Sequence, residues 1–196
     1  MKKRLALIFL TGMLSAAMLT GCGNSNRSSD ETVTEDGKDP AGMVHLDGEE
    51  DVSALFEEIY GGVDEELLPF GIALTELSMD DDDLISYHTG LAEVSDIDSI
   101  YLSESMMGST PYSAVYIKTK DDADAKEVMQ QLMDSVDPAK WICVTAEKQI
   151  AANFGNDVFF VMGAPETADA VFAAAKTAAE SRNMAVSNTA EKNNPI

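Results

Sequence analysis

The sequence predicts an α+β domain with a mostly antiparallel, four-stranded sheet, with its helices packed on one face and one or two further helices before it. Two observations lead to this fold class. After residue 95, strand-like and helix-like stretches follow each other in the order ββαββα. Each pair of strand-like stretches is joined by turn-forming residues, which favours hairpins. Two hairpins, each followed by a helix, are typical of a sheet that carries its helices on one side.

The first elements of the domain are predicted to be helical. From Asp51 the apolar residues fall on one stripe at helical spacing, and Gly61 and Gly62 end the pattern. A second, shorter helix is expected near Asp82–His88.

The first predicted hairpin pairs Ser99–Met106 with Ser113–Thr119 across a segment of Gly, Ser, Thr and Pro. The helix after it has the clearest amphipathic spacing in the chain. Asp121 or Asp122 is expected to cap this helix, and Pro138 to end it.

The second predicted hairpin pairs Glu147–Ala152 with Val158–Met162 across a turn that contains Gly and Asn. The second of these strands is apolar at consecutive positions, so we expect it to be central and covered on both sides. A final helix is predicted with Pro165 in its first turn.

Residues 1–21 have the features of a secretory signal peptide. Three basic residues precede the mostly apolar run Leu5–Leu19, which is short for a membrane span of roughly 20 residues. The sequence Leu-Thr-Gly-Cys, which begins at Leu19 and ends at Cys22, resembles the lipobox of bacterial lipoproteins. The resemblance implies cleavage between Gly21 and Cys22, and a diacylglycerol with palmitate-like chains on the Cys22 sulfur. An ordinary signal peptide with an incidental cysteine and an uncleaved signal anchor are the alternatives.

Composition divides the rest of the chain into three parts. Residues 22–49 are polar and acidic, which predicts a disordered linker of about 27 Å root-mean-square span. Residues 50–181 form the single α+β domain, and residues 182–196 are predicted to be a flexible C-terminal tail.

The charge balance excludes some partners. The chain has 13 Lys and Arg against 35 Asp and Glu, and removal of the signal takes away three basic residues, so the mature chain has 10 against 35, a net charge of −25. Nucleic acid and anionic lipid headgroups both require a basic surface. The expected partners are therefore a membrane, reached through lipid on Cys22, and an envelope protein or cell-wall component.

The residue types that could carry chemistry give no catalytic pattern. Once Cys22 is lipidated, Cys143 has no disulfide partner, and its apolar neighbours predict a buried cysteine. A catalytic thiol would need an activating base, and no motif places His45 or His88 to activate Cys143. His88 is expected to lie at a helix C-terminus and to interact with the helix dipole.

An acidic run and two methionines are the remaining candidates. Asp80, Asp81, Asp82 and Asp83 lack the alternating spacing of an EF-hand loop, so the prediction is a helix cap or solvated face, with a weak divalent-cation site as the alternative.

Met106 and Met107, with Tyr101, Tyr112 and Tyr116 on nearby strands, are expected to pack in the core or along an edge strand. The alternative is that they form an exposed binding patch.

Beyond its lipobox and acidic linker, the chain has an opening helix at Asp51–Tyr60, a strand at Ser113–Thr119 that leads into a helix containing Val128–Leu132, and a late apolar strand. In this order of elements it resembles a family of small lipoproteins from anaerobic Gram-positive bacteria that carry a C-terminal domain of unknown function. The resemblance implies a lipoprotein and an α+β fold, and it implies no activity.

The sequence therefore favours a membrane-anchored, extracytoplasmic lipoprotein whose domain is a non-enzymatic binding module without a cofactor. One alternative is a hydrolase that acts on the cell envelope through carboxylates. A second alternative is the small-ligand capture component of a transport system, although such proteins usually close two lobes around a ligand.

Overall fold

The computed structural model describes residues 45–194, and these form a six-stranded antiparallel sheet with four helices. The α+β class and the antiparallel pairing are confirmed, but the prediction of four strands is too low. The predicted signal peptide, the cleavage and lipidation position at Gly21 and Cys22, and most of the predicted linker lie outside the described residues.

The helices α1 to α4 span Glu49–Gly61, Asp82–Thr89, Ala125–Ser135 and Pro165–Ser181. The strands β1 to β6 span Ile72–Glu76, Ile97–Ser105, Ser113–Thr119, Lys148–Phe154, Asp157–Gly163 and Val186–Asn193. A short 3-10 turn at Glu65–Leu67 lies between α1 and β1. None of the helices within residues 45–194 has the length and apolar character that crossing a membrane requires.

The strands lie in the order β1-β2-β3-β5-β4-β6. Both predicted hairpins, β2–β3 and β4–β5, are confirmed. Gly155 has a φ of 61° in the β4–β5 turn, a left-handed conformation that glycine adopts without strain. Strand β5 lies between β3 and β4 and is buried along its whole length, as its continuous apolar run predicts.

The helices pack on both faces of the sheet, and the prediction of a single covered face is wrong. Phe159 and Val161 of β5 face a core cluster that contains residues of α1 and α4. Phe160 and Met162 of the same strand face a second cluster that contains residues of α2 and α3. Successive side chains of a strand point to opposite faces, so an uninterrupted apolar strand needs a cover on each side.

Helix α3 begins later than predicted. Its N-cap is Asp124, whose carboxylate accepts hydrogen bonds from the backbone N–H groups of Lys126 and Glu127. The expected caps, Asp121 and Asp122, lie in the preceding turn. The helix ends at Ser135, ahead of Pro138 as expected.

The two edge strands depart most from prediction. Strand β1 was not predicted, and β6 lies where a flexible tail was expected. The side chains of β6 are mostly exposed, so backbone pairing with β4 holds this strand in place. The predicted linker also extends too far, because Leu46 is already buried in the core.

His45, the first residue that the structure describes, contacts a buried carboxylate. Asp157, fully buried at the start of β5, accepts hydrogen bonds from the Tyr116 hydroxyl at 2.6 Å and the Thr119 N–H at 3.0 Å. His45 Nδ1 lies 2.7 Å from the same carboxylate. Burial raises the pKa of Asp157 above its usual value, although these partners oppose the rise. We call this end of the sheet, defined by His45, Thr119 and Asp157, the proximal end.

Candidate functional site

The opposite end of the sheet, which we call the distal end, is formed by residues 68–71, 106–112 and 136–147. These segments precede β1, join β2 to β3 and precede β4. Because all neighbouring strands are antiparallel, the three segments lie at the same end of the sheet. Strand β3 runs from this end to the proximal end. At roughly 3.3 Å per residue, its length puts the two ends about 20 Å apart.

Most of the large apolar side chains that are exposed within residues 45–194 belong to this end. Phe70 is 85% exposed, Met106 is 80% exposed and Ile142 is 86% exposed. Met107 is about half exposed, and so is Tyr87 of α2, whose hydroxyl donates to the Lys140 carbonyl oxygen in the 136–147 segment at 3.0 Å. Scattered exposed apolar residues are normal, but a group of them at one end indicates an interaction surface.

Hydrogen bonds hold the Phe70 and Met106 backbones together. The Ser105 hydroxyl donates to the Phe70 carbonyl oxygen at 3.1 Å, and the Met107 N–H donates to the same Ser105 oxygen at 3.2 Å. The Met106 N–H donates to the Gly71 carbonyl oxygen at 3.0 Å. The two exposed side chains are therefore presented on a backbone fixed by the sheet rather than on a free loop.

A groove of about 530 Å³ lies beside Phe70. Its walls are mostly apolar and come from the segment before β1 and the end of α1, including Tyr60, Leu68, Pro69 and Ile72. Glu65 is the one carboxylate that lines it. Such a groove is suited to an apolar side chain with a polar group at its rim.

Hydroxyl groups connect the base of this region to the sheet. The Tyr60 hydroxyl lies 2.5 Å from Ser103 Oγ and 3.0 Å from the Tyr112 hydroxyl. Burial raises the pKa of Tyr60 to about 12, so the cluster stays neutral near pH 7. The hydroxyls therefore fix the end of α1 against the sheet and supply no acid or base near neutral pH.

A charged cluster lies on the other face of the distal end. Lys140 has a side chain only 2% exposed, and its Nζ lies 2.8 Å from Glu104 Oε1 and 3.2 Å from His88 Nδ1. Its third contact is Ser113 Oγ, at 3.4 Å. The Trp141 ring covers the ammonium at 5.0 Å from its centroid.

Burial and charge pairing shift the pKa values of Lys140 and Glu104 in opposite directions. Burial lowers the pKa of Lys140, and the Glu104 carboxylate opposes that change. Burial also acts to raise the pKa of Glu104, but His88 and Lys140 together keep it below its usual value. All three donors of the ammonium have a neighbour, and Ser113 is fully buried. The cluster therefore positions the 136–147 segment, and the Ser113 hydroxyl is not accessible to a substrate.

The prediction that these methionines and tyrosines pack in the core or along an edge strand is confirmed for the tyrosines and wrong for the methionines. Met106 and Met107 are exposed, whereas Tyr101, Tyr112 and Tyr116 are buried. All three tyrosines belong to the core cluster under α1 and α4. Phe70 is the missed member of the surface, because the sequence does not show that the start of β1 meets the end of β2.

The acidic run caps a helix, as predicted. Asp81 is the N-cap of α2 and accepts a hydrogen bond from the Leu84 N–H at 3.0 Å. Asp82 and Asp83 lie in the first turn, next to Asp80 in the preceding turn. Across the part of the chain that the structure describes, no cluster of His, Cys, Asp and Glu has a metal-binding arrangement.

His88 and Cys143 differ from their predicted roles. His88 lies in the last turn of α2, but Gly90 caps that helix and the His88 ring contacts Glu104 and Lys140 instead. Cys143 is exposed, and the prediction that it is buried is wrong. Its apolar neighbours lie in a loop rather than a strand, so the run does not enter the core.

A polar depression of about 400 Å³ lies elsewhere, between the start of α3 and the β4–β5 turn. Asp124 already satisfies N–H groups at that helix terminus. The polar groups of this depression are thus partly satisfied by Asp124, whereas the apolar side chains of the distal end are exposed to solvent among residues 45–194. The distal end is therefore the better candidate for recognition.

Comparison of the chain with known protein families, with characterised proteins and with solved structures finds no match.

Proposed function

We propose that this chain is a lipid-anchored, extracytoplasmic binding module that holds a protein partner through the distal end of its domain. The observation that carries the proposal is the grouping of Phe70, Met106, Met107 and Ile142 at the end of the sheet opposite His45. Phenylalanine and methionine are enriched at protein interfaces relative to the rest of the surface.

The direction of the tether supports this proposal. The proposed anchor, Cys22, precedes His45 in the chain, and His45 contacts Asp157 at the proximal end. The proposed partner is then bound at the end of the domain opposite the residue through which the tether enters it. The charge of −25 also disfavours contact with anionic headgroups.

The distal end favours a protein over the other ligand classes considered. Its groove carries one carboxylate, Glu65, whereas glycosidase chemistry requires a pair of carboxyl groups separated by about 5 to 9 Å. Met106, Met107 and Ile142 are exposed at this end but do not line the groove. A surface of this form matches an interface with an apolar centre and a polar rim.

The proposal is tested by affinity capture from native membranes with the anchored protein. A Phe70→Glu/Met106→Glu variant is expected to lose at least nine-tenths of a partner that the unchanged protein enriches, because two carboxylates would be buried at the apolar centre. Quantitative mass spectrometry of the captured proteins measures this loss.

A Leu84→Glu variant is the matched control, since it adds a carboxylate at a partly exposed apolar position on α2, outside the distal end. It is expected to capture the same partner in the same amount. Equal capture by the distal-end variant and the unchanged protein would overturn the proposal, provided that both have the same melting temperature.

A further inference from the structure

We propose that β1 receives an extended segment of the partner as an added strand, and that this segment has alternating apolar residues with lysine or arginine at its flanks. The inference rests on the proposed function, because it names the binding mode and the kind of segment that the distal end and the adjoining edge recognise.

The backbone of β1 offers an open hydrogen-bonding edge. The Gly71 carbonyl oxygen accepts from Met106 N–H, and Leu77 N–H donates to the Ile100 carbonyl oxygen at 2.9 Å. Backbone groups alternate in direction along a strand, so these bonds fix which residues face β2. The N–H and C=O groups of Ile72, Leu74 and Glu76 therefore point away from the sheet. No strand other than β2 pairs with β1 among residues 45–194.

This edge has few of the features that usually prevent strand addition. Strand β1 contains no proline, and its one charged residue is Glu76 at its C-terminal end. The opposite edge, β6, carries Glu191 and Lys192 and has an irregular register against β4. Natural sheets protect their edges with charges and bulges, and the pairing of β1 with β2 has no bulge. Of the two edges, β1 is thus the one open to a partner.

The groove beside Phe70 would give the added strand side-chain specificity. Ile72 lines the groove and is the first residue of β1 with outward backbone groups. A strand paired with Ile72 would place alternate side chains on the α1 side of the sheet, next to Leu68 and Tyr60. Main-chain bonds would supply affinity, and the groove would select an apolar side chain.

Charge defines the flanks of the partner segment. From Leu46 to Tyr87 the chain contains no lysine, arginine or histidine. Glu65 and Glu66 precede β1, Glu76 is its last residue, and Asp80 follows it. A segment with basic residues at both ends complements this arrangement, whereas a second copy of this chain would bring identical acidic flanks together. The observations therefore favour a basic, extended segment of another protein.

The binding mode is tested with a synthetic peptide and the mature, detergent-solubilised chain. The peptide alternates valine with threonine between two pairs of lysines, and fluorescence anisotropy measures its affinity. An otherwise identical peptide with glutamates in place of the lysines is expected to bind at least ten-fold more weakly. Equal binding of the two peptides would overturn the charge assignment.

Backbone recognition is tested with the same peptide carrying N-methyl groups on alternate residues. Methylation of the set whose N–H groups face β1 is expected to weaken binding at least ten-fold, and methylation of the other set to change it less than two-fold. Equal effects of the two methylated peptides would overturn strand addition, and this comparison does not depend on a protein variant.

A Leu74→Pro variant gives the corresponding test on the protein. It removes an N–H that points away from β2, so the fold should tolerate it while peptide affinity falls at least ten-fold. Asn193→Pro is the matched control on β6, where the inward bond from Asn194 N–H to Glu147 leaves the Asn193 N–H facing outward. The control is expected to bind the peptide unchanged.

Capture of the natural partner separates this inference from the proposed function. A partner lost with Phe70→Glu/Met106→Glu but retained with a folded Leu74→Pro would overturn strand addition and support the distal end as the binding surface. A partner retained with both variants would overturn the two proposals together.

Discussion

A Cys22→Ser variant is expected to leave the membrane fraction, or to accumulate with its signal peptide attached. Each buried methylene contributes about 0.8 kcal/mol, so two acyl chains hold a protein at a bilayer while the serine variant has none. With a mature charge of −25, the remaining chain has no electrostatic attraction to anionic lipid. Fractionation, with mass spectrometry of the N-terminal peptide, measures the outcome.

Cys143→Ser is the matched control, because Cys143 is the only other cysteine in the chain. That variant should stay with the membranes and carry the same lipid mass on its N-terminal peptide. Normal cleavage with unchanged membrane retention of Cys22→Ser would contradict lipidation at this position.

A Gly90→Ala substitution is expected to lower the free energy of unfolding by about 4 kcal/mol. Gly90 ends α2 with a φ of 73°, which strains any residue with a side chain. A Cβ at this position would also lie 2.3 Å from the carbonyl carbon and oxygen of Ser135 at the end of α3. Helices α2 and α3 must therefore move apart, and urea denaturation followed by circular dichroism measures the cost.

Gly71→Ala separates the two contributions to this effect. Gly71 has a similar φ of 68°, but a Cβ there would meet nothing within 4 Å. Its expected cost is the backbone strain alone, about 1 kcal/mol. Losses of equal size at the two glycines would contradict the close approach of α2 and α3.

The sequence predicted the elements whose periodicity reflects burial. Strand β3 has the predicted bounds, and both hairpins and all four helices are present. The prediction of one covered face conflicted with the uninterrupted apolar run of β5, and the structure agrees with the run. Local patterning therefore gave better guidance than the assumed arrangement of layers.

The edge strands could not be predicted, because their side chains carry little information about burial. Strand β6 has a polar sequence, and pairing with the distant strand β4 places it in the sheet. Strand β1 has only five residues, and α2 separates it from β2 in sequence. Both strands depend on long-range backbone pairing, which leaves no periodic pattern in the chain.

The exposed apolar surface of the distal end was only partly predictable. Packing was expected for the methionines as well as the tyrosines; Tyr101 and Tyr116 follow the alternation of their strands into the core, but Met106 and Met107 lie beyond the end of β2 and are exposed. Phe70 joins the methionines only through the pairing of β1 with β2. Exposure of an apolar residue depends on the tertiary fold, so composition alone could not identify this surface.

The central claim is that the distal end contacts a protein partner at the membrane. Photo-crosslinking tests it directly, with a photoreactive residue at position 106 and, as the reference, at the exposed Glu57 of α1. In membranes of the native cells, position 106 is predicted to give a discrete covalent adduct with one protein that position 57 does not give. Identical adducts at both positions, or none at position 106, would contradict the claim.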